Sequence, residues 1–471
     1  MLAISYRSNP PEPTTRTGGL TFRSSDKVPW YPRHRPVDRL LPDAHLVMRD
    51  LKSAATHING NISGVDVASP FKPDSDIDLG GSRLLNAANT PVHEVINVRG
   101  AISGNDPTGA ALNALLSQFR SESRNTIVWF PPGLYNYYNL SQPIVVPPGV
   151  FLVGSGLDAT RVRVGGFSEG SAYAAFLIEG KNLGEAPIFS GIQHMTIFHA
   201  STFLGYPPKA MIRCEGGYGI VVSDIMLRNI PLLGVEFSSV SGSYLTRIRC
   251  HGHVDDDTYI PERTLDHPAI SINGGIGNLV RNNMVLYPSG SGISVEGAQG
   301  VSVRENQVIW SDDPTIECNS PTLDPHGRHG IVLRGSYGVS AIANQVRGAG
   351  LTGILAYGSQ HVKIASNMIY GFARSFKWKY ADPENPEIHR QGAVKAEGCD
   401  DVAVLCNTAA RRGKNYENGP GTYMPYHCYL LMSNTTRMTF AGNVGPWSPD
   451  ALPGRVKPED PHTANTYEDL P

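Results

Sequence analysis

GISVEGAQGVSVREN (residues 292–306), GIVLRGSYGVSAIAN (330–344) and GILAYGSQHVKIASN (353–367) are three copies of one phrase. VKAEGCDDVAVLCN (394–407) and LLMSNTTRMTFAGN (430–443) repeat it, and a looser copy, AISINGGIGNLVRNN (269–283), precedes them. Each copy alternates apolar and polar residues through a first strand, turns, alternates through a second strand, and stops at Asn. A short third strand follows, such as QVI (307–309) or MIY (368–370). Asn283 to Asn306 and Asn344 to Asn367 are each 23 residues apart. A fixed period near this length is the signature of a stacked solenoid, and period-two alternation makes its layers strands rather than helices. Asn suits the recurring turn because it tolerates the left-handed conformation and bonds neighbouring backbone. Stacked in register, such Asn residues form a hydrogen-bonded ladder. A β-sandwich of hairpins would use two-residue NG or DG turns, and those are not what separates these strands.

The repeat also works as a ruler. Asn306 to Asn344 is 38 residues, Asn367 to Asn407 is 40, and Asn407 to Asn443 is 36. Cys250 takes the Asn position of an earlier coil, 33 residues before Asn283. From Asn306 onward, the end of the first strand always precedes its Asn by 10 residues: Glu296, Arg334, Tyr357, Glu397 and Ser433 hold that position. The surplus length therefore enters between the third strand and the next first strand. Four insertions, approximately His251–Pro268, Trp310–His329, Gly371–Gly392 and Ala410–His427, leave by one corner and wall the face of the first strands. Insertions on one face of a repeat protein mark its binding face.

The rest of the 471 residues bounds the reading. Lys+Arg (40) and Asp+Glu (42) nearly balance, which argues against nucleic-acid binding. No apolar run is long enough to span a membrane, and no signal peptide is visible at Met1. The six Cys are scattered, without CxxC or zinc spacing. Residues 1–90 read as a polar arm with one amphipathic helix over 43–58, and residues 446–471 as a Pro-rich tail.

EVINVRGAISGNDPTGAALNALLSQFRS (94–121) reads strand, loop, helix, with Asp106 as N-cap and Pro107 at the first helical position. NTIVWFPPGLYNYYNLSQPIVVPPGVFLVGSG (125–156) follows. This order, with V-x-F-P-P-G-x-Y and P-P-G-V-x-L-x-G-x-G, resembles the start of the pectin-lyase-like right-handed β-helix superfamily, which includes pectate-lyase-like enzymes and phage tailspike depolymerases. The connector SDIDLGGSRLLNAANTP (75–91) is similar to those before the β-helix of tail-fibre and tailspike proteins. The resemblance implies a single-stranded right-handed parallel β-helix over residues 91–445, a helix capping its open end, and a substrate cleft on the walled face.

On the first strands alternate residues point outward. One outward column reads Ser271, Ser294, Val332, Leu355, Lys395, Leu431; the other reads Asn273, Glu296, Arg334, Tyr357, Glu397, Ser433. Glu296 and Arg334, one rung apart, could do no more than form a surface ion pair, which is worth little. As a cluster, Glu296, Arg334, Tyr357, Lys395 and Glu397 are catalytic candidates, joined by Asp312 and Asp313 from a loop. His253, His267, Trp310, His326, His329, Trp378, Tyr380, Arg411 and Tyr423 are candidate substrate-binding residues: rings to stack on sugar faces, charged groups to bond hydroxyls. Hydrolysis of a glycosidic bond needs two carboxylates, one of them protonated. Elimination from a uronate needs a cation on the sugar carboxylate and a base for the C5 proton; Arg334 or Lys395 with Tyr357 or a loop His would serve. No obligatory cofactor is expected, although Asp255, Asp256 and Asp257 could hold Ca²⁺.

Three whole-protein readings follow. The first is a polysaccharide-cleaving enzyme, hydrolase or lyase, in the form of a homotrimeric tailspike depolymerase that is extracellular or virion-associated. The second is a non-enzymatic virion or adhesion protein binding glycan or a partner. The third is an epimerase or isomerase acting on a sugar polymer.

Overall fold

The computed structural model describes residues 92–102, 108–120, 125–137, 140–167, 173–181, 189–200, 206–252, 267–288, 290–310, 329–349, 352–370, 392–410, 427–431 and 435–444. The arm, the connector and the tail lie outside these residues. What is described is a right-handed parallel β-helix, in which each strand pairs in parallel with the strand one coil away. One face is a ten-stranded sheet running from Ile144–Val146 to His427–Leu431. The second and third strands of each coil join in a continuous twenty-stranded sheet that bends to make the other two faces.

The inward positions hold the core. In one coil Ile293, Val295, Val303 and Val308 are fully buried, and the same positions above carry Ile331, Leu333, Ala341 and Val346. Each such aliphatic side chain is worth about 1.5–3 kcal/mol when buried. The Gly that opens the repeated phrase belongs to this packing. A Cβ on Gly330 would stand 2.3 Å from the Gly353 carbonyl and 2.4 Å from Val346 Cγ1.

The Asn ladder is continuous. Asn306 Nδ2 donates to Asn344 Oδ1 (2.9 Å) and to the Val280 carbonyl (3.0 Å), while Asn344 Oδ1 also takes the Asn306 backbone N–H (3.0 Å). The same three bonds recur from Asn344 to Asn367 and from Asn367 to Asn407. Because these amides are buried, a lost rung strands several polar groups at roughly 1–3 kcal/mol each.

Three details depart from the sequence reading. The left-handed residue of the turn is not the Asn but the one before it: Glu305, Ala343, Ser366 and Cys406 have φ between 52° and 58°. The Asn stays free to face inward along the ladder. The earlier coil's Asn position belongs to Ile248 rather than Cys250. Ile248 donates its backbone N–H to Asn283 Oδ1 (2.9 Å), which needs no amide side chain, and Cys250 pairs with Val285 on the third strand. In the last coil Lys395 pairs with Leu430 and not with Leu431, so the turn there is one residue longer than the ruler assumed.

The helix also begins later than expected. It runs Ala110–Ser117 with Gly109, at φ 70°, at the N-cap; Asp106 and Pro107, expected at the helix start, lie outside the described residues. Leu112 and Leu116 are buried in the core. Asn113 bonds the Val145 N–H and the Pro143 carbonyl, fixing the helix to the terminal strand of the ten-stranded sheet.

Candidate functional site

The outer face of the ten-stranded sheet has the register the repeat implied. Asn273, Glu296, Arg334, Tyr357 and Glu397 are paired rung by rung, as are Ser271, Ser294, Val332, Leu355 and Lys395. The chain between third and first strands spans 253–269, 310–330, 371–391 and 411–426, so all four long connections leave by one corner. The two columns differ in access. Val332 and Leu355 point outward yet are only 5% and 7% exposed, whereas Glu296, Arg334 and Tyr357 (48%) are exposed. Among the described residues the open part of the face is thus the column Glu296–Arg334–Tyr357, with rungs about 4.8 Å apart.

Charge is handled differently along this column. Glu296 and Arg334 face each other across one rung, and among the described residues neither makes an ion pair, so the alternative of a surface ion pair is not realised there. Lys395 and Glu397 do pair, Nζ to Oε2 at 2.9 Å, with the lysine the more buried partner.

Two coils earlier the same face carries a network that sequence reasoning did not find. Arg213 donates Nη1 to Glu236 Oε2 (2.7 Å) and binds Glu215 Oε1 through Nε (2.9 Å) and Nη2 (2.8 Å). Its guanidinium lies 4.1 Å from the Tyr173 ring centre, a cation–π contact. The Tyr173 hydroxyl donates to Glu215. Asn273 Nδ2 donates to Glu236 Oε1 (3.1 Å), and Ser271 Oγ donates to Asn273 Oδ1 (3.2 Å). Glu236 is 8% exposed with both oxygens bonded, which is how a carboxylate is kept charged out of water. Burial, and then the bond to Glu215, push the Tyr173 phenol up to about 12. Beneath the network, burial drives the Cys214 thiol well above its usual range, with Glu236 adding to the effect, so Cys214 is no nucleophile. Arg213, Glu215 and Glu236 lie on AMIRCE (210–215) and LGVEFS (233–238), whose polar outward positions were the available signal.

The remaining candidates divide. Trp310 is half-buried against the core, and its indole N–H donates to the Pro288 carbonyl (3.2 Å). His329 stands at the corner, its Nδ1 accepting the Thr352 N–H (3.3 Å). His267 sits at the same corner, ahead of Ile270–Asn273. Asp312, Asp313, His253, His326, Trp378, Tyr380, Arg411, Tyr423 and Asp255–Asp257 lie outside the described residues. Among the described residues no cluster of His, Cys, Asp or Glu could hold a metal, and no helix is long and apolar enough to cross a membrane.

No family model and no curated sequence matches the chain. Solved structures do. DFA-IIIase from Arthrobacter chlorophenolicus A6, without its lid, is similar over 79% of this chain and 93% of its own, at 15% identity and a TM-score of 0.55. Full-length tailspike protein 2 from Escherichia coli O157:H7 bacteriophage CAB120 is similar over 74% of this chain, at 11% identity and a TM-score of 0.50; the match spans 42% of the tailspike. The chain has the pectin-lyase-like parallel β-helix fold.

Proposed function

We propose that the open column Glu296–Arg334–Tyr357 binds an acidic polysaccharide and cleaves it by elimination. The observation that supports this reading is an exposed arginine, Arg334, without a carboxylate partner among the described residues, set one rung from an exposed tyrosine. A guanidinium matches a uronate carboxylate bidentately. Neutralising that carboxylate acidifies the C5 proton, and the Tyr357 phenol oxygen is a group one rung away able to exchange it. Tyr357 Oη takes the C5 proton as its own O–H proton passes to the leaving oxygen, the C5–H electrons form the C4–C5 double bond, and the C4–O bond breaks. Glu296, on the other side of Arg334, bonds sugar hydroxyls.

With the described carboxylates hydrolysis fits less well, Asp312 and Asp313 lying outside the described residues. Glu296 and Glu397 are three rungs apart, roughly 14 Å, whereas glycosidase carboxyls stand about 5–9.5 Å apart. Glu397 is also tied to Lys395, and Glu215 and Glu236 are both occupied by Arg213. DFA-IIIase, a tailspike and this chain share a fold, and fold alone does not select a reaction. A homotrimer in an extracellular or virion-associated setting belongs to the same proposal.

The test is a panel of uronate-containing polysaccharides, polygalacturonate and alginate among them. Ultraviolet absorbance from unsaturated sugar ends is expected. New reducing ends without that absorbance would mean hydrolysis, and binding without product would leave an adhesion protein.

A further inference from the structure

The third face of the solenoid is basic, whereas the first carries charges of both signs. None of its strand segments, from 133–137 through 160–164, 195–199, 225–230, 249–252 and 284–286 to 408–410, contains Asp or Glu. Four arginines stand outward on three of four successive rungs of it. Arg161 heads the column Arg161–Thr196–Met226–Arg249, and Arg163 the column Arg163–Phe198–Arg228. Their inward neighbours Val162, Ile197, Leu227 and Cys250 are fully buried, so the guanidinium groups lie outside the core. Arg161, Arg228 and Arg249 are exposed and make no ion pair among the described residues; the nearby Asp224 is committed to Arg247 at 2.5 Å. Arg163 stacks 5.5 Å from the Phe198 ring centre, which holds it in place. His251, half-buried, is held below the usual histidine range by burial first and then by Arg228 and Arg249.

A row of arginines with this spacing, spread over three rungs or roughly 14 Å, fits an extended polyanion better than a single small anion. Nucleic acid is the poorer match. The chain's net charge is -2, and the ring between these arginines, Phe198, is already covered by Arg163 and is not free to stack on a base.

We propose that this arginine face is a second, non-catalytic binding surface for an acidic polysaccharide, separate from the column that carries Arg334. That the polyanion is a polysaccharide rests on the function proposed above; that the surface binds a polyanion does not. The surface holds one segment of the polymer while another lies across the first face, which raises the local concentration of substrate at the cleft.

The double variant Arg228→Gln/Arg249→Gln tests this, since both side chains are exposed and the core beneath is untouched. Affinity electrophoresis in gels containing polygalacturonate at low salt is expected to show about tenfold weaker binding than wild type. Neutral dextran should retard neither protein. The rate of unsaturated product formation from trigalacturonate, too short to reach both faces, is expected to be unchanged. Wild-type affinity for polygalacturonate in the double variant would overturn the proposal. So would tighter binding of single-stranded DNA than of polygalacturonate, lost in the double variant, which would assign the surface to nucleic acid. Should no glycan be cleaved at all, the binding arm still decides, so failure of the enzymatic reading and failure of this one are distinguishable.

Discussion

Two stretches of one outer face are built from the same residue types and use them in opposite ways. Around Arg213, each charged group is spent on another: Arg213 on Glu215 and Glu236, Tyr173 on Glu215, Asn273 on Glu236. Around Arg334, the guanidinium, the Glu296 carboxylate and the Tyr357 ring are exposed and, among the described residues, uncommitted. A saturated network rigidifies the wall it sits in. An unsaturated one retains its hydrogen-bonding capacity for a ligand. The difference teaches that charge on a solenoid face is not itself the mark of a site; spare valence is.

Substitutions can break that comparison from either side. The largest effect is expected from Glu236→Ala, which leaves Arg213 with half its compensation in a site shielded from water. Stability should fall by about 3 kcal/mol in urea denaturation, and Glu236→Gln, which keeps the Asn273 contact, should recover part of it. Next is Arg334→Ala. Cleavage of an acidic polysaccharide should fall about a hundredfold, while the unfolding midpoint stays within about 0.5 kcal/mol of wild type. Tyr357→Phe keeps the ring and removes the hydroxyl. Loss of turnover at unchanged KM is expected if the phenol oxygen exchanges the proton, and a rise in KM alone would reduce Tyr357 to a stacking residue.

The smallest effect sharpens the saturated half. The Tyr173 phenol is raised in the folded protein to about 12, so its contribution to stability is fully present below the ordinary tyrosine range near pH 10 and is lost as pH rises through about 12. Alkaline difference spectra should show one tyrosine ionising late in wild type and absent from Tyr173→Phe, with that variant's stability less sensitive between pH 10 and 12.

The fold was largely legible because its signal is periodic. One Asn per coil sets the register, and the register places Glu296, Arg334, Tyr357 and Glu397 in one column without any knowledge of loops. The ruler failed where the periodic residue was replaced by backbone. Ile248 makes the ladder's bond with its N–H, so nothing in its side chain announces the position. That failure hid Arg213 and Glu236, whose coils have no ladder Asn to count from. The exposure of a column was also not legible. Val332 and Leu355 face outward by parity yet are buried, because alternation tells which side of the strand a residue takes and not what lies over it. Trp310 illustrates the same limit: a ring at a loop's edge reads as a sugar platform, but its indole N–H is held by Pro288 and its face by the core.

The central claim is that the open column around Arg334 is where the polymer is bound and broken. The direct measurement is the initial rate of unsaturated product formation by wild type and Arg334→Ala on the most rapidly cleaved uronate polysaccharide, with melting curves taken on the same preparations. The account predicts product from wild type and about a hundredfold less from Arg334→Ala at an unchanged melting temperature. Equal rates from the two proteins would contradict it.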